Sequence, residues 1–271
     1  MRFGRLLTAM VTPFTAEGAV DYDRAAALAK HLVDGGSDGV VVAGTTGETP
    51  TLTKEEKWAL FSRVRQALRG RAAVIAGTGT NDTAGSVALT KAVDGMGLDG
   101  VMAVCPYYNK PSQEGMYRHF RAIAESTSLP LIVYNVPSRT ASNLEPSTLE
   151  RLTAVPNIVA LKEASGDMAQ AADIMRRVPP DFAVYSGNDS DTYHIMALGG
   201  VGVISVASHV AGPAMKEMVE AAGAGDWDKA RDIHLRLGGL FKVLFLPAST
   251  NPAPVKAALR YFRDEFEAHI L

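Results

Sequence analysis

One lysine lies in an apolar segment, where burying a charged side chain costs free energy and therefore suggests a chemical role. Lys162 lies in the apolar run 158–164, which starts just after a Pro-Asn turn. A charged ammonium in a buried strand costs several kcal/mol unless it is paired or neutralised. Burial lowers the pKa of a lysine, and a neutral lysine attacks carbonyl carbons. The alternative is a strand-end lysine whose stem is buried and whose ammonium reaches solvent.

The apolar segment before Lys162 ends in residues that suit such an amine. Segment 134–140 reads Tyr-Asn-Val-Pro-Ser-Arg-Thr. Tyr134 supplies a phenol for proton transfer, and Arg139 supplies a guanidinium for a carboxylate. The two segments together predict Schiff-base chemistry on a keto acid.

Two further segments carry polar groups after apolar runs. Thr45 and Thr46 stand between glycines, where their hydroxyls and amides could form a small anion nest or an ordinary turn with an N-cap. Tyr107 and Tyr108 follow on a proline-framed loop, where they could relay protons or pack an interface.

Other chemistries lack their usual patterns. The six histidines are scattered without a paired spacing, and there is no serine nucleophile elbow. The glycine-rich segment 77–81 lacks the full dinucleotide fingerprint. Cys105, the one cysteine, lies in an apolar run typical of a buried structural thiol and can form no intrachain disulfide. We therefore expect no metal site and no cofactor.

Short apolar runs alternate with longer amphipathic stretches along the chain. The predicted strands are residues 6–11, 39–43, 72–77, 100–105, 130–135, 158–162, 182–186 and 202–206. The predicted helices are residues 23–34, 53–68, 83–96, 113–126, 146–152, 168–177, 191–198 and 211–222. Eight strand–helix units predict an α/β protein with a (β/α)8 TIM barrel, although an open doubly wound sheet has the same local pattern.

The bulk properties fit one such barrel with additional C-terminal helices. We expect residues 1–223 of the 271 to form the catalytic barrel and residues 224–271 a helical extension packed on it, with helices at 227–245 and 254–266. A net charge of -2 gives no sign of a nucleic-acid partner. No apolar run approaches the ~20 residues of a membrane span, and the N-terminus lacks a signal-peptide pattern. A cytoplasmic protein without a membrane partner is expected.

These motifs in combination resemble the dihydrodipicolinate synthase family, among the class I aldolases related to N-acetylneuraminate lyase. The resemblance runs from about Leu6 to Leu259 and is carried by segments 44–48, 106–109, 134–140, 158–164 and 202–206. Sialic acid lyases are similar in the tyrosine and lysine strands but do not typically carry the Arg-Thr ending. Arg139 therefore favours the synthases.

The resemblance implies a condensation of pyruvate with L-aspartate 4-semialdehyde in the diaminopimelate route to lysine. Lys162 would form the imine with pyruvate. Thr45 and Thr46 would bind the pyruvate carboxylate. Tyr134, Thr45 and Tyr108 would form a proton relay, with Tyr108 reaching in from an adjacent subunit.

The same resemblance assigns the remaining site residues and the assembly. Arg139 would hold the semialdehyde carboxylate, and the backbone at Gly187 and Ile204 would line the pocket. A homotetramer built as a dimer of dimers is implied. Two other functions stay open on the residues alone. They are a sister aldolase that cleaves a 2-keto-3-deoxy sugar acid and a non-catalytic barrel that binds keto acids.

The sequence departs from the family pattern in two places. Lysine-inhibited members carry histidines and a glutamate around a regulatory cleft, where this chain has Lys54, Lys57 and Gly85. Two cations and a missing carboxylate predict weak or absent feedback by lysine, although Asn81 and Tyr107 remain. After segment 251–256 the chain continues only to Leu271, so we expect the last helices to be reduced.

Overall fold

The chain folds into a closed barrel of eight parallel strands, as the alternation of elements predicts. The computed structural model describes residues 2–246 and 248–265. The strands pair in sequence order, and β8 pairs with β1 to close the barrel. Strands β1 to β8 are Leu6–Ala9, Gly39–Val42, Ala73–Gly77, Gly100–Val104, Leu131–Asn135, Ile158–Glu163, Ala183–Ser186 and Gly202–Ser205.

Helices surround the barrel and connect successive strands. Helices α1 to α11 are Tyr22–Asp34, Lys54–Leu68, Thr83–Val93, Gln113–Ala124, Pro137–Thr140, Pro146–Leu152, Met168–Arg177, Thr192–Ala197, Ser208–Gly223, Trp227–Leu244 and Ala253–Glu265. Helix α2 begins with a capping box, in which Thr53 and Glu56 each accept a hydrogen bond from the other's backbone N–H. Such caps supply partners for amides that a first helical turn leaves unpaired.

The strands bury both of their faces, which explains why they read as continuously apolar. One set of side chains fills the barrel interior, including Leu7, Ile75, Ile132 and Ile204. The alternate residues, such as Leu6 and Val203, pack between the strands and the surrounding helices. Neighbouring residues of a strand point to opposite faces, so both layers must be apolar when helices cover the sheet.

The element boundaries differ from the predicted ones by a few residues, for local reasons. The predicted helix 83–96 ends at Val93 because Gly95 and Gly97 adopt left-handed backbone. The predicted helix 211–222 is longer, spanning Ser208–Gly223, and is kinked at Ala211 two residues before Pro213. The short helix Pro137–Thr140 was not predicted.

The described part of the C-terminal extension is helical, as predicted. Helix α10 packs against α9, and α11 contacts both α9 and α10. The predicted helix 254–266 is observed as Ala253–Glu265, and its last residue, Phe266, lies outside the described residues. Within residues 2–246 and 248–265, no helix has the length and apolar character needed to cross a membrane.

Candidate active site

The amine of Lys162 and the ring of Tyr134 lie side by side inside the barrel. Tyr134 on β5 and Lys162 on β6 are direct register partners. The Lys162 Nζ lies 4.2 Å from the centre of the Tyr134 ring. Both side chains are buried, with 5% of each exposed. The phenol and the amine are therefore neighbours, as predicted. The alternative, in which the ammonium of Lys162 reaches solvent, is wrong.

The surroundings of Lys162 favour its neutral form. Burial lowers the pKa of Lys162 to about 8, the carboxylate of Asp189 opposes that change, and the charge of Arg139 adds to it. The aromatic ring alone would favour the protonated form. The pKa of the amine therefore lies close to physiological pH, as expected of a lysine that forms Schiff bases.

Thr45 and Tyr134, two members of the predicted relay, share a side-chain hydrogen bond within one chain. Burial raises the pKa of Tyr134 to about 12, while the charge of Arg139 and a side-chain hydrogen bond with Thr45 act in the opposite direction. The phenol therefore keeps its proton at neutral pH and can donate it. The hydrogen bond joins it to the loop after β2.

That loop is a tight turn whose amides are available to an anion. Its backbone hydrogen bonds run from Gly47 N to Gly44 O and from Glu48 N to Thr45 O. Among the described residues, no backbone carbonyl accepts a bond from the amides of Thr45 or Thr46. Such an arrangement is typical of a small anion nest.

The turn is held from outside by two hydrogen bonds. Thr12 Oγ1 donates to Gly47 O at 2.7 Å. Asn251 Nδ2 donates to Thr46 Oγ1 at 2.9 Å, and both of these side chains are buried. The residue preceding Gly44, Ala43, has a φ of 53°, a left-handed conformation that costs a non-glycine residue free energy.

Arg139 stands at the edge of the site as a free cation. The side chain lies on the short helix Pro137–Thr140 directly after β5, and it is exposed. No carboxylate among residues 2–246 and 248–265 forms an ion pair with it, although its charge influences both Tyr134 and Lys162. An unpaired guanidinium at the rim is suited to bind a carboxylate from solution.

Tyr108 is the one predicted catalytic residue that does not reach the others. Its side chain is 88% exposed, its φ is 73°, and its amide donates to Thr140 O at 3.4 Å. Within this chain the phenol points into solvent rather than towards Thr45 or Tyr134. The neighbouring Tyr107, on the same proline-framed loop, is half-buried.

Gly187 and Ile204, which the resemblance assigns to the pocket, lie beside the Lys162 stem and in the barrel interior. A Cβ at Gly187 would lie 2.6 Å from Ala164 Cβ and 3.1 Å from Lys162 Cγ, so only glycine leaves the lysine stem undisturbed. Ile204 on β8 is fully buried among the residues that fill the barrel interior.

Asp189 is a site residue to which the sequence analysis assigned no role. Its carboxylate is buried, accepts a hydrogen bond from Ser205 Oγ at 2.5 Å, and accepts the amides of Val206 and Ala207. Burial raises the pKa of Asp189, and these donors and the charge of Lys162 oppose that change. The only available signal was an acidic residue shortly after an apolar run, which is too common to single out.

Glu163, the acidic residue next to Lys162 in the chain, faces away from the site. Glu163 follows Lys162 on β6, so its side chain points to the opposite face. Its carboxylate accepts hydrogen bonds from Asn135 Nδ2 at 3.1 Å and from the amide of Ser165 at 2.7 Å. Glu163 therefore stabilises the end of β6 rather than reacting.

The residues expected at the regulatory cleft also have definite surroundings. Lys54 is exposed at the start of α2, and Lys57 is buried one turn later. Burial lowers the pKa of Lys57, and repulsion by Lys54 lowers it further. No carboxylate in the described part of the chain pairs with either lysine.

Known proteins are similar to this chain along nearly its whole length. The model of the dihydrodipicolinate synthetase family matches residues 2–266. A 4-hydroxy-tetrahydrodipicolinate synthase from Moorella thermoacetica is 58% identical over 260 residues, which cover 96% of this chain and 88% of the relative.

Solved structures agree over the same length. The dihydrodipicolinate synthase of Bacillus anthracis superposes with a TM-score of 0.92 at 49% identity, covering 96% of this chain and 88% of that one. The enzyme of Cyanidioschyzon merolae, solved with lysine bound, has a TM-score of 0.93, the same identity and the same coverage of both chains. A family match over nearly the whole chain, joined to a buried lysine beside a tyrosine in a closed barrel, shows that this chain belongs to the dihydrodipicolinate synthetase family.

Proposed function

We infer that the protein is a lyase that condenses pyruvate with L-aspartate 4-semialdehyde to give 4-hydroxy-tetrahydrodipicolinate. The reaction belongs to the diaminopimelate route to lysine. The single observation that carries this inference is the buried amine of Lys162, 4.2 Å from the centre of the Tyr134 ring. Relatives with 58% and 54% identity bear the name of this activity.

The first step is imine formation on pyruvate. The neutral amine of Lys162 adds to C2 of pyruvate, and the carbinolamine loses water to give the imine. The amides and hydroxyls of Thr45 and Thr46 would hold the pyruvate carboxylate. Tyr134 is placed to donate the proton that the departing hydroxyl requires, because its phenol remains protonated at neutral pH.

The second step makes the carbon–carbon bond. Loss of a proton from the pyruvyl methyl gives an enamine, whose terminal carbon attacks the aldehyde carbon of the semialdehyde. The aldehyde oxygen gains a proton through the relay of Tyr134 and Thr45. Arg139, exposed and unpaired among the described residues, is suited to hold the semialdehyde carboxylate by a charge-assisted bond.

The last step frees the enzyme. The amino group of the former semialdehyde attacks the imine carbon, closing the ring and displacing the amine of Lys162. Gly187 permits this exchange because no side chain there crowds the lysine stem.

We further propose that the site is completed by a second copy of the chain. Tyr108 is 88% exposed and cannot serve its own Tyr134–Thr45 pair in this position. A neighbouring subunit related by a two-fold axis would receive this tyrosine and return its own. The homotetramer, a dimer of such dimers, extends the same arrangement.

The test is to trap the imine with borohydride in the presence of pyruvate and to measure the intact mass. We expect a pyruvyl adduct on the wild type and none on Lys162→Ala. The matched control is Lys57→Ala, which removes another buried lysine whose pKa burial also lowers, and which should retain the adduct. A wild type without an adduct would refute the mechanism. Turnover of a 2-keto-3-deoxy sugar acid in place of the semialdehyde would show a sister aldolase.

A further inference from the structure

The C-terminal segment outside the barrel contacts the turn that carries the carboxylate-binding threonines. Asn251 precedes α11, yet its Nδ2 lies 2.9 Å from Thr46 Oγ1. Asn251 is 6% exposed and Thr46 is 3% exposed, so water competes little for this hydrogen bond. A residue more than two hundred positions along the chain thus contacts a predicted site residue directly.

A second contact holds the same segment against the same turn. Lys256 on α11 forms an ion pair with Glu48, which follows the threonines in the turn. The Lys256 Nζ also lies 4.5 Å from the centre of the Phe14 ring. Because Glu48 follows Thr46 by two positions in the same turn, Lys256 anchors the segment there independently of Asn251. That independence allows the two contacts to be tested separately.

The direction of the hydrogen bond determines what the threonine can do. The amide of Asn251 donates, so the Thr46 oxygen is the acceptor. No atom of the described residues accepts the proton of the Thr46 hydroxyl. That proton is therefore available to an anion in the site, and an accepting oxygen polarised by one donor is itself a better donor.

The amide oxygen of Asn251 also bears on the contact between Asn251 and Thr46. Its Oδ1 is buried and finds no donor among residues 2–246 and 248–265. A buried amide oxygen without a donor costs free energy, and such atoms occur where a functional role or another partner accounts for them. The donor half of Asn251 is thus retained in contact with Thr46 although the acceptor half is unsatisfied.

We propose that Asn251 is a positioning residue for pyruvate. By donating to Thr46 Oγ1, it directs the Thr46 hydroxyl proton towards the pyruvate carboxylate. The C-terminal segment then belongs to the active site and is more than a cover packed on the barrel. This proposal rests on the proposed function, because it needs pyruvate to bind at Thr45 and Thr46.

The experiment compares Asn251→Ala, Asn251→Asp and Lys256→Met with the wild type. Asn251→Ala should raise the KM for pyruvate about five- to tenfold, the effect of losing one hydrogen bond, and leave the KM for the semialdehyde unchanged. Asn251→Asp should raise the KM for pyruvate further, because a carboxylate accepts the Thr46 proton and repels the pyruvate carboxylate. Lys256→Met should lower thermal stability without changing the KM for pyruvate.

A double-mutant cycle with Thr46→Val separates positioning from general damage. If Asn251 acts through Thr46, the double variant Thr46→Val/Asn251→Ala should have the same KM for pyruvate as Thr46→Val alone. Multiplicative effects would overturn the proposal, as would a wild-type KM for pyruvate in a folded Asn251→Ala. If the alanine variant does not fold, Asn251→Gln and Asn251→Ser serve as replacements in the same cycle.

The outcome is distinguishable from a failure of the proposed function. If wild-type protein traps no pyruvate, the function itself is wrong, whatever Asn251 does. If wild type traps pyruvate and the Asn251 variants bind it equally well, the function stands and the role of Asn251 is refuted.

Discussion

Lys162 and Tyr134 are register partners on adjacent strands, and the lysine Nζ lies 4.2 Å from the centre of the tyrosine ring. Equal register in neighbouring parallel strands brings the two side chains to one height in the barrel interior. The amine is consequently desolvated and next to a proton donor, the two conditions that imine formation requires. Charges at Asp189 and Arg139 then adjust the pKa of the amine in opposite directions.

The pH dependence of imine formation should report those two charges. The pKa of Lys162 is about 8, and only the neutral amine attacks, so the rate of adduct formation should rise with pH and level off above about 8. Arg139→Gln removes a charge that lowers this pKa, so its profile should move to higher pH. Asp189→Asn removes a charge that raises it, so its profile should move to lower pH.

Trapping with cyanoborohydride under single-turnover conditions measures these profiles with pyruvate alone. Leaving the semialdehyde out separates the effect on Lys162 from any loss of acceptor binding at Arg139. Profiles that moved in the same direction for both variants would contradict the electrostatic account.

Tyr108 should act across a subunit interface. Lys162→Ala and Tyr108→Ala should each be nearly inactive when expressed alone. Co-expressed, they should form hybrid dimers in which one site has both an intact Lys162 and a Tyr108 donated by its partner. Random pairing should restore about a quarter of wild-type activity.

The control for this complementation is a double variant, Tyr108→Ala/Lys162→Ala, co-expressed with the wild type at the same ratio. The co-expressed variants could be no more active than the two variants expressed separately. That result would show that Tyr108 does not act in the neighbouring chain. Sedimentation of each preparation reports whether dimers are present at the assay concentration.

Gly187 should tolerate no side chain. In Gly187→Ala the new Cβ would meet Ala164 Cβ at 2.6 Å and Lys162 Cγ at 3.1 Å. We expect a loss of about 1–3 kcal/mol in the free energy of unfolding and a slower rate of pyruvyl adduct formation. Thermal denaturation and trapping measure the two effects.

Gly239→Ala is the matched control, because a Cβ at this position in α10 would meet nothing within 4 Å. A glycine within a helix costs about 0.5–1 kcal/mol relative to alanine, so this change should raise stability and leave the adduct rate unchanged. Equal behaviour of the two alanine variants would rule out crowding of Lys162 as the cause.

Lysine should inhibit this enzyme weakly. Lys54 and Lys57 carry no carboxylate partner among the described residues, and repulsion between them already lowers the pKa of Lys57. A lysine effector would add another ammonium to this region, and Gly85 offers no carboxylate to compensate for it. We expect millimolar L-lysine to leave more than half of the activity.

The comparison protein for that assay is the Cyanidioschyzon merolae enzyme, whose structure was solved with lysine bound. Dose–response curves for both enzymes, measured in one coupled assay, give the comparison. Half-inhibition of this protein below one millimolar lysine would contradict the prediction.

The sequence by itself determined the alternation of strands and helices and indicated the residues of the predicted site. Continuously apolar strands alternating with amphipathic helices can bury both strand faces in few ways, so the pattern limits the fold to a closed barrel or an open doubly wound sheet. The count of eight strand–helix units favoured the barrel. Lys162, Tyr134 and Thr45 could be predicted as site residues because polar side chains at the ends of apolar runs are costly unless they are used. The resemblance of the combined motifs to a known family then implied their roles.

Only the tertiary structure decided which distant groups adjust the site. Asp189 and Asn251 sit in ordinary polar surroundings in the sequence, and nothing local distinguishes them from turn residues. Their contacts with Val206, Ala207 and Thr46 arise when the closing of the barrel and the packing of α11 bring remote segments together. Exposure likewise depends on the fold, which left Tyr108 in solvent and Tyr107 half-buried although they are neighbours in the chain.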